Sequence, residues 1–243
     1  MRELRTLVVL IRLFARQEQA NALYFVANAV VLPGAVAYLA TRIFPPGSPV
    51  VAAWLTGAVV LGAGLGAFSQ MGFAVLIDRL TGRSRLLALG DVGRATYLAS
   101  RLVVTVAWSM TFALGGFAAM VFEVHVRLTL GFGLVAVGAA LANALFHGGL
   151  GALVGGRATV LTVGAAMIGT IGPLAGFISP VFYPSGALPY VGPVVRFLPL
   201  GLAVELLRAA AEHRALSVLS ATVLSVFAVG ALALGLKFMR WPT

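Results

Sequence analysis

The residues that could carry out chemistry in this chain are few and widely scattered. The three histidines, His125, His147 and His213, lie far apart and show no HExxH spacing, so we expect no metal site. No stretch has the GxSxG pattern of a serine nucleophile elbow, and no pair of carboxylates falls within an apolar run. Cysteine is absent, which excludes disulfides, thiolate ligands and thiol nucleophiles. The sequence therefore predicts no catalytic residue.

The chain also lacks the residues that bind ATP in a P-loop. No GxxxxGK[ST] pattern occurs, and the single lysine is Lys237. A run of glycines at Gly62, Gly64 and Gly66 lies inside an apolar stretch, where small residues let a neighbouring helix approach closely. We therefore expect no cofactor on this chain, and we expect any ATP-driven motor to be a separate polypeptide.

Positive charge is concentrated between residues 78 and 101. This segment begins with Asp78 and contains five arginines: Arg79, Arg83, Arg85, Arg94 and Arg101. An arginine-rich connection suits an acidic groove on a partner protein, where it adds electrostatic steering. The alternative is that these arginines only mark the cytoplasmic side of a membrane.

Three polar side chains fall within or near apolar runs and are candidates for lining a pathway: Gln70, Asn143 and His147. Asn143 lies one helical turn before His147 on the same face. A carrier driven by protons or sodium usually buries an ionisable group within a span, and His147 is the nearest candidate for that role. We expect instead that the histidine and the asparagine bond to a neighbouring helix.

The stretch from Ser179 to Arg208 is rich in proline. It contains five: Pro180, Pro184, Pro189, Pro193 and Pro199. Proline breaks a regular helix, yet the residues between these prolines remain apolar and aromatic. The combination predicts broken, partly re-entrant structure that dips into a membrane, and such segments tend to lie at a translocation pathway. The alternative is a hydrophobic outer loop on the membrane surface.

The elements that must position these residues are membrane helices. The 243 residues are 60% hydrophobic and only 10% charged, with mean hydropathy +1.03, which is typical of an integral membrane protein. We expect one all-α transmembrane domain over residues 1–243 with six spans: 22–43, 50–77, 102–122, 128–150, 159–177 and 216–236. Residues 78–101 then connect spans two and three, and residues 179–208 lie between spans five and six.

Residues 1–20 have the periodicity of an amphipathic helix. Arg5, Arg12 and Arg16 fall on one stripe, opposite an apolar face. A helix of this kind lies in the headgroup plane of a membrane and does not span it. The net charge of +10 is then explained by arginines lying against anionic membrane lipids, and we expect no nucleic-acid partner.

The distribution of positive charge predicts an orientation. With both termini placed inside, twelve of the 17 basic residues fall on inner segments and five on outer segments. This asymmetry supports a multi-pass protein of the cell membrane with both termini in the cytoplasm.

Two motifs, together with the layout of nearly the whole chain, match a known family. The inner motif comprises Asp78, Gly82, Arg94 and Arg101. The outer motif comprises Ser179, Phe182, Pro184, Leu188, Pro189, Pro199, Leu207 and Arg208. In these respects the chain resembles the type-2 permease subunits of ATP-binding-cassette transporters, and it is most similar to the daunorubicin-resistance-type drug-export permeases.

The resemblance implies a mechanism. In this family the segment between spans two and three forms a cytoplasmic coupling helix that docks on an ATPase subunit, and here that segment also carries Arg83 and Arg85. The broken outer helices cap the pathway between two permease subunits. The resemblance therefore implies two kinds of partner: an ATPase dimer, which binds ATP and magnesium, and a second permease subunit, identical or related.

We thus expect the transmembrane half of an ATP-driven exporter, with no enzymatic activity of its own. It would move a hydrophobic or amphiphilic substrate, such as a drug, a lipid or a lipid-linked compound, out of the cytoplasm. Export of a polysaccharide or a teichoic-type polymer is the second interpretation. A membrane-embedded enzyme that modifies lipids and an assembly scaffold are the remaining alternatives.

Overall fold

The structure, a computed structural model, describes residues 2–20, 23, 31, 35, 38–45, 48–124, 129–181 and 192–241. Every regular element in these residues is a helix, and no strand occurs among them. The predicted all-α class is therefore confirmed for the described part of the chain.

The described residues form nine helices and a helical stretch at 38–43. The nine are α1 (Arg2–Gln19), α2 (Pro49–Leu80), α3 (Arg83–Leu89), α4 (Arg94–Val124), α5 (Leu130–Arg157), α6 (Leu161–Ile178), α7 (Gly192–Val195), α8 (Pro199–Ala211) and α9 (Val218–Phe238). Several begin where the sequence predicts a helix start. The Ser48, Thr129 and Ser217 hydroxyls accept hydrogen bonds from backbone N–H groups in the first turns of α2, α5 and α9.

Four of these helices are long and apolar enough to cross a membrane, over residues 50–80, 94–122, 130–157 and 218–238. They coincide with four of the predicted spans. The predicted fifth span is α6, whose 18 residues measure about 27 Å against the ~30 Å of a hydrocarbon core. The predicted span 22–43 lies largely outside the described residues. The described part of the chain is thus all-helical with four candidate spans, and the number six stays a prediction.

Helix α2 lies at the centre of the bundle and packs against α4, α5, α6 and α8. Glycines permit the closest of these contacts. A side chain at Gly155 of α5 would meet the backbone carbonyl of Gly72 on α2, so only glycine fits there. The predicted packing role of Gly62, Gly64 and Gly66 is also confirmed, because a Cβ at each would meet side chains of α4 or α5.

The chain direction alternates from helix to helix. The Arg79 guanidinium at the end of α2 donates hydrogen bonds to Gly155 and Ala158 at the end of α5, and Arg94 at the start of α4 bonds to the Lys237 carbonyl at the end of α9. We call this end of the bundle the basic end. The end where α2, α5 and α9 begin is the opposite end.

The N-terminal helix α1 lies at the basic end and packs on α4. Leu10 and Phe14 are buried against Tyr97 and Leu98 of α4, whereas Arg5, Arg12 and Arg16 are exposed. The amphipathic pattern predicted for residues 1–20 therefore corresponds to a helix with one buried stripe.

Candidate functional site

A buried carboxylate organises the basic end. Asp78, in the last turn of α2, is 1% exposed. Its Oδ2 accepts hydrogen bonds from the Tyr97 hydroxyl at 2.7 Å and from Nε and Nη2 of Arg101 at 2.9 and 2.6 Å. Its Oδ1 accepts from Arg83 Nη1 at 3.1 Å. A buried charge is stable only when it is paired and hydrogen-bonded in this way. We call Asp78, Arg83, Tyr97 and Arg101 the Asp78 cluster.

The cluster also fixes helix α1. Arg101 is 3% exposed, and its guanidinium lies 3.6 Å from the centroid of the Phe14 ring. Arg101 also contacts the Gln17 amide oxygen at 3.4 Å and the Glu18 carboxylate at 3.9 Å, and Arg83 donates to the same Gln17 oxygen at 3.0 Å. The end of α1 is therefore joined to α2, α3 and α4 through charged and polar contacts.

The local sequence explains how α3 leaves the bundle. Helix α2 ends at Leu80, and Gly82 then adopts a left-handed conformation with φ +76°. No atom would obstruct a side chain at Gly82, so it is the backbone conformation that requires glycine there. At the far side of α3, Asp91 also has positive φ, which aspartate tolerates better than most residues. These two turns hold α3 across the ends of α2 and α4.

Helix α3 presents an exposed surface at the basic end. Arg85 is exposed, and Leu86 and Leu89 are 70% and 78% exposed. On the inner side of the same helix Ser84 is buried and Leu87 packs on the core around Phe14 and Tyr97. Two large exposed apolar side chains thus lie beside an exposed arginine, and grouped exposed apolar residues are a feature of interaction surfaces. We call Arg85, Leu86 and Leu89 the α3 tip.

The structure thus divides the residues predicted to couple to a partner into separate groups. Asp78, Arg83 and Arg101 come together in the Asp78 cluster, and Gly82 forms the turn before α3. Only Arg85 lies on the α3 tip. Arg94 is at the start of α4, where its Nη1 donates to the Lys237 carbonyl at 3.3 Å. The predicted segment 78–101 is accordingly shared among α2, α3 and α4 and does not form one separate unit.

The opposite end is closed by the short helix α8. Pro199 occupies the first turn of α8, where its missing N–H costs no hydrogen bond. Nearly the whole helix is buried against α2, α5 and α9, although its 13 residues extend only about 20 Å. Ser179 ends α6 and is also buried, with its hydroxyl bonded to Gly176 O at 3.0 Å.

One arginine ties α8 to the neighbouring segments. The Arg208 Nη2 donates to the carbonyl oxygens of Ala53 at 3.1 Å and Val181 at 2.9 Å, and its Nε donates to the Thr56 hydroxyl at 3.2 Å. Four other residues of the predicted outer gate lie outside the described residues: Phe182, Pro184, Leu188 and Pro189.

The three candidate pathway residues lie between the two ends. The Asn143 Nδ2 donates to the Val60 carbonyl at 2.8 Å, so this asparagine bonds to a neighbouring helix as predicted. For His147 the expected bond to a neighbouring helix was wrong among the described contacts: its Nδ1 lies 2.9 Å from the Asn143 carbonyl of its own helix. Since a carbonyl only accepts, this nitrogen carries the proton. The Gln70 amide atoms and the Asn143 Oδ1 are buried without a hydrogen-bond partner among the described residues.

Sequence reasoning missed several residues of the basic end. Tyr97 belongs to the Asp78 cluster, and Gln17 and Glu18 contact it, yet no spacing rule links residues 17, 78 and 97. Leu86, Leu87 and Leu89 stand out in the sequence as an apolar group in a basic segment, but nothing in that pattern shows that Leu87 packs inward while Leu86 and Leu89 are exposed.

No protein-family model matches this chain, and no curated protein matches its sequence. The fold and the composition define the class, an all-helical protein with helices that can span a membrane. Its activity is inferred from the geometry of the two ends.

Proposed function

We propose that this chain is the transmembrane permease subunit of an ATP-driven exporter of the type-2 ATP-binding-cassette class. In this proposal the basic end faces the cytoplasm and receives force from a separate ATPase subunit. The opposite end gates the exit of a hydrophobic or amphiphilic substrate.

The observation that carries the proposal is the α3 tip. A seven-residue helix stands outside the membrane helices, with Leu86 and Leu89 exposed next to Arg85. Exposed leucines on a short polar connection have no role in folding the described bundle, whereas they suit a pocket on a partner protein. Arg85 would add electrostatic attraction to an acidic groove.

The Asp78 cluster also supports a role in force transmission, because it would fix the α3 tip rigidly to the membrane helices. Asp78 and Arg101 are too deeply buried to reach a partner, so their part in coupling is to hold α3 firmly on α2 and α4. A push on the tip would then move both helices as rigid bodies, as the rocking of a permease requires. The joined α1 would move with them along the membrane surface.

Helix α8 supports the proposed gate. A helix of 13 residues is too short to span the hydrocarbon core, yet it is buried at the opposite end among helices that do have that length. This is the placement expected of a re-entrant segment, which is tolerated where protein surrounds it. Arg208 holds this segment closed by bonding to α2 and to Val181.

The partners follow from the mechanism. An ATPase dimer would bind ATP and magnesium, and a second permease subunit would complete the pathway on the other side. Gln70 and Asn143, with buried amide atoms that lack partners among the described residues, are the polar groups that could meet the substrate during transport. Such a sparse polar lining suits an amphiphilic substrate better than an ion.

The proposal is tested by purifying the full chain, affinity-tagged, in a mild detergent from the cells that naturally make it. We expect an ATPase with a P-loop to co-purify with the wild-type chain. The double variant Arg85→Glu/Leu89→Asp should retain at least about tenfold less of that ATPase, because it reverses the charge and removes an apolar anchor.

The matched control is Arg196→Glu, which changes an exposed arginine at the opposite end. It should leave the bound ATPase unchanged. Absence of any P-loop ATPase from the wild-type preparation, or equal retention by the double variant, would contradict the proposal and favour an assembly scaffold.

A further inference from the structure

An apolar groove runs along the outside of the bundle between α5 and α9. Its volume is about 540 Å³, within the range of ~300–1,000 Å³ that is common for ligand sites. Phe146 and Leu150 form one wall, and Val223, Phe227 and Leu234 form the other. From Val223 to Leu234 the groove extends about 17 Å along α9, a little more than half of the ~30 Å hydrocarbon core.

A glycine creates part of this space. Gly230 lies in the groove, and a Cβ built there would meet no atom within 4 Å. The bulky rims stay exposed, with Val226 at 65% and Leu234 at 45%. The groove is therefore open to the outside of the bundle along α9.

Two cations lie where the groove reaches the basic end. Arg157 follows Leu150 by about two turns of α5, and Lys237 follows Leu234 by about one turn of α9. The Arg157 Nε donates to the Phe238 carbonyl at 2.7 Å, and the Arg157 and Lys237 charges lie 5.5 and 5.3 Å from the centroid of the Phe238 ring. Both cations therefore lie beside the ring of Phe238, one turn of α9 beyond Leu234 at the end of the groove.

Among the described residues, no anion pairs with Arg157 or Lys237. None of the ion pairs between described residues includes Arg157 or Lys237, and both residues are exposed. Further positive charge lies close by, since the Arg240 backbone N–H bonds to Gly156 O and the Arg240 guanidinium repels that of Arg79. The helix C-termini offset only part of this charge.

We infer that this groove binds one anionic phospholipid, with an acyl chain lying in the groove along the outer faces of α5 and α9 and the phosphate held by Arg157 and Lys237. The length and apolar lining of the groove fit an extended chain of the leaflet on the basic side. The paired cations fit the headgroup, as basic pockets between membrane helices commonly do. The site faces outward from the bundle and is separate from the proposed substrate pathway.

The test uses the full chain purified in detergent and stripped of lipid. Phosphatidylglycerol or phosphatidylcholine with identical acyl chains is then added, and native mass spectrometry counts the bound lipids. We expect one phosphatidylglycerol per chain, retained at least about tenfold better than phosphatidylcholine. The double variant Arg157→Gln/Lys237→Gln should lose most of this preference, about fivefold for each charge removed.

A second variant probes the acyl chain. Gly230→Leu adds a side chain inside the groove at a position where a Cβ meets no atom within 4 Å, and it should lower phosphatidylglycerol retention about fivefold or more because the acyl chain loses its packing contacts. The matched control is Gly138→Leu on α5, where a Cβ also meets nothing within 4 Å but which lies away from the groove. It should bind lipid like the wild type.

Three results would overturn the inference. The first is equal retention of the two lipids by the wild type, and the second is unchanged binding by Gly230→Leu. The third is a dimer of the chain that Gly230→Leu converts to monomer without altering lipid retention, since a second copy would then occupy the groove.

Discussion

The two ends of the bundle are both fixed by arginine, but in different ways. At the basic end Arg101 meets carboxylates, an amide and an aromatic ring, so charge is offset by side chains from α1 and α2. At the opposite end Arg208 donates hydrogen bonds to two backbone carbonyls and one hydroxyl, and the Glu205 and Glu212 carboxylates also attract its charge. The buried ion pair of Arg101 and Asp78 has no counterpart among these three hydrogen bonds of Arg208. From this comparison we expect a rigid basic end and a movable opposite end.

The largest effect on the free energy of unfolding is expected for a substitution at the basic end. Among the described residues, Asp78→Ala leaves the buried Arg101 with the more distant Glu18 as its one carboxylate partner, and we expect a loss of about 3–5 kcal/mol in the free energy of unfolding. Reversible unfolding in detergent measures this loss. The double variant Asp78→Leu/Arg101→Met should recover most of the stability, because an apolar pair removes the unpaired charge.

The exposed pair between Arg214 and Glu212 supplies the control for that experiment. Glu212→Ala should leave the stability nearly unchanged, since exposed ion pairs contribute little. If Asp78→Ala were as mild as Glu212→Ala, the basic end would not be held by its ion pairs.

A smaller loss is expected at the opposite end. Arg208→Met removes three hydrogen bonds from α8, and we expect about 2–3 kcal/mol of destabilisation. The chain has no cysteine, so a single reporter can be placed at each end. In the Arg208→Met background, Ala53→Cys should react faster with a water-soluble maleimide, whereas Ser100→Cys beside the Asp78 cluster should stay protected.

The reporters also test whether the ends are independent. Faster labelling of both cysteines would mean that Arg208→Met opens the whole bundle, and the proposed difference between the ends would be wrong. Faster labelling at Ala53→Cys alone would support a gate that opens locally.

The next largest effect on the free energy of unfolding is expected for a substitution at the contact between α2 and α5 near the basic end. Gly155→Ala places a methyl group against the Gly72 carbonyl, and we expect about 2 kcal/mol of destabilisation from overpacking. Gly138→Ala on the same helix meets no atom and should stabilise by up to about 1 kcal/mol, as alanine favours a helix. Equal effects of both substitutions on unfolding would show that α2 and α5 are not closely packed.

The smallest effect is expected midway between the ends. Asn143→Val removes the bond to the Val60 carbonyl, and hydrogen bonds between membrane helices contribute about 0.6 kcal/mol. Unfolding in detergent should therefore change only slightly. A loss several times larger would indicate that this contact connects the two ends, and labelling of Ala53→Cys would then respond to Asn143→Val as well.

Local patterns predicted much of the fold. The apolar runs predicted four helices that the structure contains, and the spacing of Arg5, Arg12 and Arg16 predicted the exposed stripe of α1. Both depend on neighbours three or four residues apart, which a sequence displays directly. The spacing of Gly62, Gly64 and Gly66 likewise predicted close helix packing but not which helix each glycine meets.

The candidate site was only partly predictable. The sequence showed that residues 78–101 are rich in charge, but from it we predicted the same role for every arginine there, which was contact with a partner. In the structure Arg101 is buried, Arg94 donates a hydrogen bond to the Lys237 carbonyl of α9, and Arg85 is exposed. The burial of Arg101 depends on the position of Asp78 in the fold, because a buried carboxylate pairs with the arginines whose side chains can reach it.

Composition and periodicity alone determined that this chain is helical and suited to a membrane, because hydropathy and helical spacing act over short distances along the chain. Only the tertiary structure decided that residues 17, 78, 83 and 101 meet in one ion cluster, and that α8 is buried among longer helices. The reason is physical: opposite charges brought out of water must find each other across the fold, and their separation in sequence places no constraint on that encounter.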